Sequence, residues 1–175
     1  MTCRTIIIAA TLPAFIFGSS LISGCSNPSE RIDYYDFMNQ SQLEKEVLSE
    51  IDDLSKEIEN DLENADAYIK RADLKLRMRD FTGAIADYTK ALKIKPQNVD
   101  AYSGRSRAKD ELGDSKGAIA DLDQAIVNDP HNEFHYSLRG QYKKLLGNQE
   151  GACADWTMAA EYGSDYAAKM VNDQC

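Results

Sequence analysis

GAIADYTKAL (83–92), GAIADLDQAI (117–126) and GACADWTMAA (151–160) are three copies of one phrase, each starting 34 residues after the last (83, 117, 151). Extending the register outward gives segments 65–98, 99–132 and 133–166, in which eight positions are identical. They are Tyr68, Tyr102 and Tyr136; Arg71, Arg105 and Arg139; Lys75, Lys109 and Lys143; Gly83, Gly117 and Gly151; Ala84, Ala118 and Ala152; Ala86, Ala120 and Ala154; Asp87, Asp121 and Asp155; Ala91, Ala125 and Ala159. Identity at that density with one fixed offset is a true internal repeat.

Each period reads as a helical hairpin. The first helix starts near Asp66, Asp100 and Glu133, acids that suit a helix N-terminus, and stops at Arg79-Asp80, Gly113-Asp114 and Gly147-Asn148. The second runs from about Gly83, Gly117 and Gly151 to Pro96, Pro130 or Gly163. Ala72, Ser106 and Gly140 on the first helix let it approach Ala84, Ala118 and Ala152 on the second, and Tyr88, Leu122 and Trp156 fill the space beyond. One hairpin cannot bury its apolar face alone, so neighbours must stack.

An arginine in such a seam needs an acid, and Asp87, Asp121 and Asp155 follow Arg71, Arg105 and Arg139 at a constant 16 residues (87 − 71). Structural ion pairs Arg71–Asp87, Arg105–Asp121 and Arg139–Asp155 are expected, because a turn near residues 80–82 brings these positions to similar height.

The period of 34, the aromatic residue early in each copy, the alanine pair on the second helix and the closing Pro96 and Pro130 resemble the tetratricopeptide repeat (TPR) family over residues 65–166. The third copy departs from it with Gly163-Ser164 in place of proline, and Arg71, Arg105 and Arg139 stand where many members carry leucine. The resemblance implies an all-α fold: an α-solenoid of three helix-turn-helix repeats with an N-terminal amphipathic helix and a C-terminal capping helix.

The repeats are flanked on both sides. Segment 41–64 carries a capping-box pattern, Ser41 and Glu44, and a stripe of Leu43, Val47, Ile51, Leu54, Ile58 and Leu62. The stripe can seal the first repeat or pair with a second copy, so a homodimer remains an alternative. At the other end, 165–175 reads as the capping helix. Folding back about Ser164 sets Cys153 opposite Cys175, each 11 residues from that pivot (164 − 153; 175 − 164), and predicts a disulfide in an oxidising compartment.

Residues 1–24 have the layout of a signal peptide: Arg4, an apolar run from Ile6 to Phe17, then small residues. Leu21-Ile22-Ser23-Gly24-Cys25 resembles the lipobox of bacterial lipoproteins, which implies cleavage before Cys25 and lipidation of its thiol. With Ser26 and no aspartate after the cysteine, the resemblance implies the outer membrane, facing the periplasm. Residues 25–40 are expected to form a tether, with Tyr34, Tyr35, Phe37 and Met38 docking on the following helix.

The 175-residue chain holds 20 basic and 29 acidic side chains, a formal charge of −9 with no basic face, which argues against nucleic acid. No catalytic motif, cofactor motif or metal-ligand spacing is present. His131 and His135 have an i, i+4 spacing but no neighbouring ligand pattern, so capping and surface roles are expected. What remains is surface, so a membrane-anchored protein-interaction adaptor is expected rather than an enzyme. The resemblance places ligands in a groove lined by the first helices. Its positions are Asp66, Ile69, Asp73, Leu76 and Arg77; Asp100, Ser103, Arg107, Asp110 and Glu111; Phe134, Ser137, Gln141, Lys144 and Leu145. Ile69 and Asp73 stand where chaperone-tail binders of the family use Lys and Asn, so that activity is not implied. An extended protein or peptide ligand with basic and apolar side chains is expected. The alternative is a structural subunit dimerising through 41–62 with no groove ligand.

Overall fold

The computed structural model describes residues 28–175, with side chains from residue 42 onward. The expected signal peptide and Cys25 lie outside the described residues. Eight helices follow in order: α1 Pro28–Asn60, α2 Ala65–Arg77, α3 Phe81–Ile94, α4 Val99–Glu111, α5 Ser115–Asn128, α6 Glu133–Leu145, α7 Gln149–Glu161 and α8 Asp165–Gln174. The chain divides into two compact units, 1–43 and 44–175, with the boundary inside α1.

Two sequence expectations for α1 need correction. Residues 28–40 are helix rather than tether, and Ser41 does not start the helix but lies within it. Pro28 is pre-organised for a first helical position, and no glycine or further proline interrupts 29–60, so nothing stops propagation through Ser41. The helix ends at Asn60, ahead of Leu62, which is left exposed. Val47, Leu54 and Ile58 are buried in one core with Ala65, Tyr68, Ala72, Leu74 and Tyr88, and Ile51 packs against it. That part of the stripe seals the repeats.

Helices α2 to α7 form three hairpins. Every first helix is capped by asparagine: Asn64, Asn98 and Asn132 accept from the backbone N–H of Ala67, Ala101 and Phe134. Every second helix begins two residues earlier than its glycine, at caps Asp80, Asp114 and Asn148, which accept from Gly83, Gly117 and Gly151. A Cβ at Gly83 or Gly117 would stand 2.1 Å from the capping carboxylate, which accounts for the invariant glycine. Ala72, Ser106, Ala84, Ala118 and Ala152 are fully buried, as are Tyr88 and Leu122, with Trp156 nearly so.

The first helices end in a shared motif. The N–H of residues 79, 113 and 147 returns to the carbonyls of Leu76, Asp110 and Lys144, and the N–H of Asp80, Asp114 and Asn148 returns to Lys75, Lys109 and Lys143. This geometry needs a left-handed residue; Gly113 and Gly147 supply it at φ 83° and 78°, and Gly163 does the same at 104° after α7. The first turn places Arg79 there instead, at φ 62°, a conformation that costs a side-chain-bearing residue about 1 kcal/mol.

The arginines hold the stack together. Arg71, Arg105 and Arg139 each make two bonds to the aspartate 16 residues on: 2.8 and 2.7 Å to Asp87, 2.9 and 2.7 Å to Asp121, 2.9 and 2.6 Å to Asp155. The remaining guanidinium nitrogen reaches back to the preceding helix: Ser55 of α1 at 3.0 Å, Thr89 of α3 at 3.1 Å and Asp123 of α5 at 2.6 Å. Lys75, Lys109 and Lys143 reach the same aspartates at 2.8, 2.7 and 2.7 Å. Each arginine also lies over Tyr68, Tyr102 or Tyr136, at 5.7, 5.7 and 5.4 Å from the ring centroid. Four of the eight invariant positions therefore make one cluster per repeat, bridging three helices.

Cys153 and Cys175 form a disulfide with a Cα–Cα distance of 5.7 Å, tying α8 to α7. His135 departs from expectation, since it is buried with no partner for Nδ1. It occupies the third position of α6, where α2, α4 and α8 carry buried Ala67, Ala101 and Ala167, which is why the ring is drawn inward. His131 packs edge-on against Tyr162 at 5.3 Å. No helix among the described residues is long and apolar enough to cross a membrane.

Candidate functional site: the first-helix face

The fifteen groove positions do not form one continuous lining. Several are engaged within the chain: Asp66 pairs with Lys95 at 2.9 Å, Asp73 accepts from the Tyr88 hydroxyl, Asp110 accepts from Ser115 at 2.7 Å, and Lys144 bonds Gln174. Ile69 and Leu76 are half-buried and pack on the core below. Ser137 is buried rather than outward: its carbonyl accepts from Trp156 Nε1 at 3.3 Å, and its hydroxyl lies 3.3 Å from that of Ser164. Asp100, Phe134 and Leu145 are exposed, and Ser103 is half-buried.

The others gather into two cavities. One, of about 270 Å³, is lined by Leu76, Arg77, Arg79, Phe81, Arg107 and Glu111 at the turn end of α2 and α4. Arg79 stands 3.6 Å from Glu111 and lies over the Phe81 ring at 5.2 Å from its centroid. The other, of about 290 Å³, is lined by Glu133, Phe134, Ser137, Leu138, Gln141, Ser164 and Tyr166, between α6 and the start of α8. Phe134 and Tyr166 flank it with rings about half exposed, at 50% and 47%.

Sequence reading missed Arg79, Phe81, Glu133, Leu138, Ser164 and Tyr166 as lining residues. Arg79 belongs to a turn, Phe81 to the start of α3 and Tyr166 to the capping helix, all outside the first helices. A signal for Arg79 was present, because it stands one period before Gly113 and Gly147 and breaks that glycine series.

Tyr88 and Tyr142 lie beneath this face. Burial raises the phenol pKa of both, and for Tyr88 the hydrogen bond to Asp73 adds to it, so both stay protonated donors. Arg107 acts on each in the opposite sense, which places its charge near both rings. The face is thus a rigid relief: acids mostly engaged, cations converging at one end, aromatic rings at the other.

Residues 75–142 match the family model described as Tetratricopeptide repeat, from the end of the first repeat's first helix into the first helix of the third. Among solved structures, the chain is similar to MamA, at 17% identity, TM-score 0.67, with 69% of this chain and 72% of that one covered. It is similar to the first TPR of Spaghetti (RPAP3) bound to an HSP90 peptide, at 22% identity and TM-score 0.59 over 62% and 87%. It is also similar to YrrB, described as a TPR protein with an unusual peptide-binding site, at 23% identity and TM-score 0.62 over 67% and 62%. No curated protein sequence matches the chain. The fold is a tetratricopeptide-type solenoid, and none of these likenesses indicates a catalytic family.

Proposed function

We propose that the chain is a lipid-anchored interaction adaptor of the bacterial cell envelope, facing the periplasm from the outer membrane and holding an extended protein segment on its first-helix face. The observation that carries this reading is the pair of cavities on that face. One is walled by arginines and the other flanked by the half-exposed rings of Phe134 and Tyr166. Such a surface binds by shape and charge and makes no covalent change in its ligand. The peptide-bound neighbour and the neighbour described by its peptide-binding site support the same mode. The anchor rests on the lipobox ending at Cys25.

Site-specific photo-crosslinkers at Gln141 and, as a control on the second-helix side, at Lys90 test the reading in whole cells. A partner is expected to crosslink at Gln141 only, and to be lost in the Phe134→Asp/Tyr166→Asp chain. Crosslinking that survives those changes, or that appears equally at Lys90, refutes the groove. Metabolic palmitate labelling of wild type but not Cys25→Ser checks the anchor, and an unlabelled wild type refutes it.

A further inference from the structure

We propose that the Cys153–Cys175 bond is a redox latch: oxidised, it holds α8 in place as a wall of the aromatic cavity, and its reduction by a dithiol releases α8 and dismantles that cavity. The inference rests on the groove reading above and adds its regulation. Ser164 and Tyr166, at the start of α8, close a cavity of about 290 Å³ whose other lining residues all come from α6. The Tyr166 hydroxyl makes no hydrogen bond among the described residues, so the docking of α8 is what keeps its ring there.

That docking is shallow. Helix α8 buries Ala167 alone, with Met170 and Val171 packed in part on Ala152, Trp156 and Ala159. The second helices α3, α5 and α7 each bury four or five residues, and each holds an aspartate clamped by an arginine and a lysine. Among the described residues no ion pair joins α8 to the rest. Ten residues are too few for a helix to persist alone in water. Its far end is held at Gln174 and Cys175: Gln149 Nε2 donates to the Gln174 carbonyl at 2.8 Å, Lys144 bonds the Gln174 side chain, and the disulfide ties the last residue to α7. Both polar contacts are exposed, which leaves the covalent bond as the one link that water does not compete for.

The bond is also open to attack. Cys175 is exposed and Cys153 half-buried, so an incoming thiolate reaches Cys175 Sγ first. It forms a mixed disulfide with Cys175 and expels Cys153 as thiolate, and Gln149 Nε2 already donates to that sulfur at 3.7 Å. The second thiol of the reductant then attacks the reductant's own sulfur in the mixed disulfide, expels Cys175 and closes the reductant's disulfide, so that two electrons and two protons pass to the protein. A bond closing a loop of sequence separation 22 favours the docked arrangement by on the order of a hundredfold, and that factor is what reduction removes. Reoxidation reverses the exchange and restores the wall.

Trp156 reports the state without a ligand: it is the only tryptophan in the sequence, is 1% exposed, and lies in the cluster that Ala167 completes. The test compares the full chain in neutral detergent when oxidised, when reduced with dithiothreitol, and as Cys153→Ser. Reduction and Cys153→Ser are both expected to raise acrylamide quenching of Trp156 and to lower amide protection across 164–174 about a hundredfold, and to lower it less across α2 to α5. In whole cells, the crosslink from a photo-reactive residue at Gln141 is expected to weaken about tenfold in Cys153→Ser. Unchanged quenching and protection on reduction, or a loss no greater in α8 than in α2 to α5, overturns the latch. If α8 is released but the Gln141 crosslink persists, the bond does not control the site, so the regulation is wrong and the groove stands. If wild type forms no crosslink at Gln141, the groove reading fails, while release of α8 on reduction still supports the latch.

Discussion

Replacing Asp121 by asparagine is expected to destabilise the protein more than replacing any cation that surrounds it. Asp121 is 4% exposed, receives two bonds from Arg105 at 2.9 and 2.7 Å and forms an ion pair with Lys109 at 2.7 Å. Asp121→Asn leaves two mostly buried cations facing each other with no acid, at a cost of about 3–5 kcal/mol. Arg105→Met removes the bidentate partner and the bond to Thr89, but Lys109 still neutralises the aspartate, so the loss is about 2 kcal/mol. Lys109→Met leaves the arginine pair intact and costs about 1 kcal/mol. Replacing all three with apolar residues, Asp121→Leu with Arg105→Met and Lys109→Met, is expected to return to within about 1 kcal/mol of wild type, because no charge is stranded. Urea unfolding at neutral pH, compared at constant m-value, measures the series. An Arg105→Met loss as large as that of Asp121→Asn, or an Asp121→Asn loss under about 1 kcal/mol, would refute the stranded-charge account.

Gly104→Ala is expected to cost about 2 kcal/mol in the same assay: its Cβ would lie 2.3 Å from Cζ of fully buried Tyr88, which has nowhere to retreat, and an unchanged midpoint would contradict that packing. Reducing the Cys153–Cys175 bond, which closes a loop of sequence separation 22, is expected to remove about 3 kcal/mol and to raise amide exchange first in α8; identical melts with and without reductant would count against it. Burial holds the His135 imidazole below its ordinary 6.5, against the opposing pull of Asp129, Asp100 and Glu133. The unfolded chain therefore binds the extra proton first as the pH falls through 6.5, and stability declines from there toward the lower folded value. His135→Ala should flatten that decline, and an unaltered pH profile would exclude the histidine as its source.

What was legible depended on whether a position repeated in identity or only in role. The hairpins, the Arg–Asp pairs and the pairing of Cys153 with Cys175 were readable because period and offset alone place those residues. Lys75, Lys109 and Lys143 were equally periodic, but their role required seeing that one carboxylate can serve two cations. Ser55, Thr89 and Asp123 share a period too (55, 89, 123), yet they differ in chemistry and have only an oxygen acceptor in common, so counting identities passes over them. The cavities were less legible still, because each draws on a turn or on the capping helix as well as on a first helix. The exposed Ala86, Ala120 and Ala154 are invariant for no reason the structure explains.

The third arm of the arginine also settles what α1 is. Ser55 stands one period before Thr89, so α1 occupies the place of a second helix, and Leu54 and Ile58 fill the roles of Tyr88 and Leu92 in the core. In the complete repeats the side of the second helix that meets its own first helix carries Ala84, Asp87 and Ala91, all buried. One period earlier those positions are Glu50, Asp53 and Glu57, all exposed and acidic. Docking a first helix there would bury three carboxylates with no arginine to meet them, a cost no small apolar contact would offset. The helix can therefore receive the repeat that follows but offers no seat to one before it. A solenoid built this way is closed to extension on that side by charge.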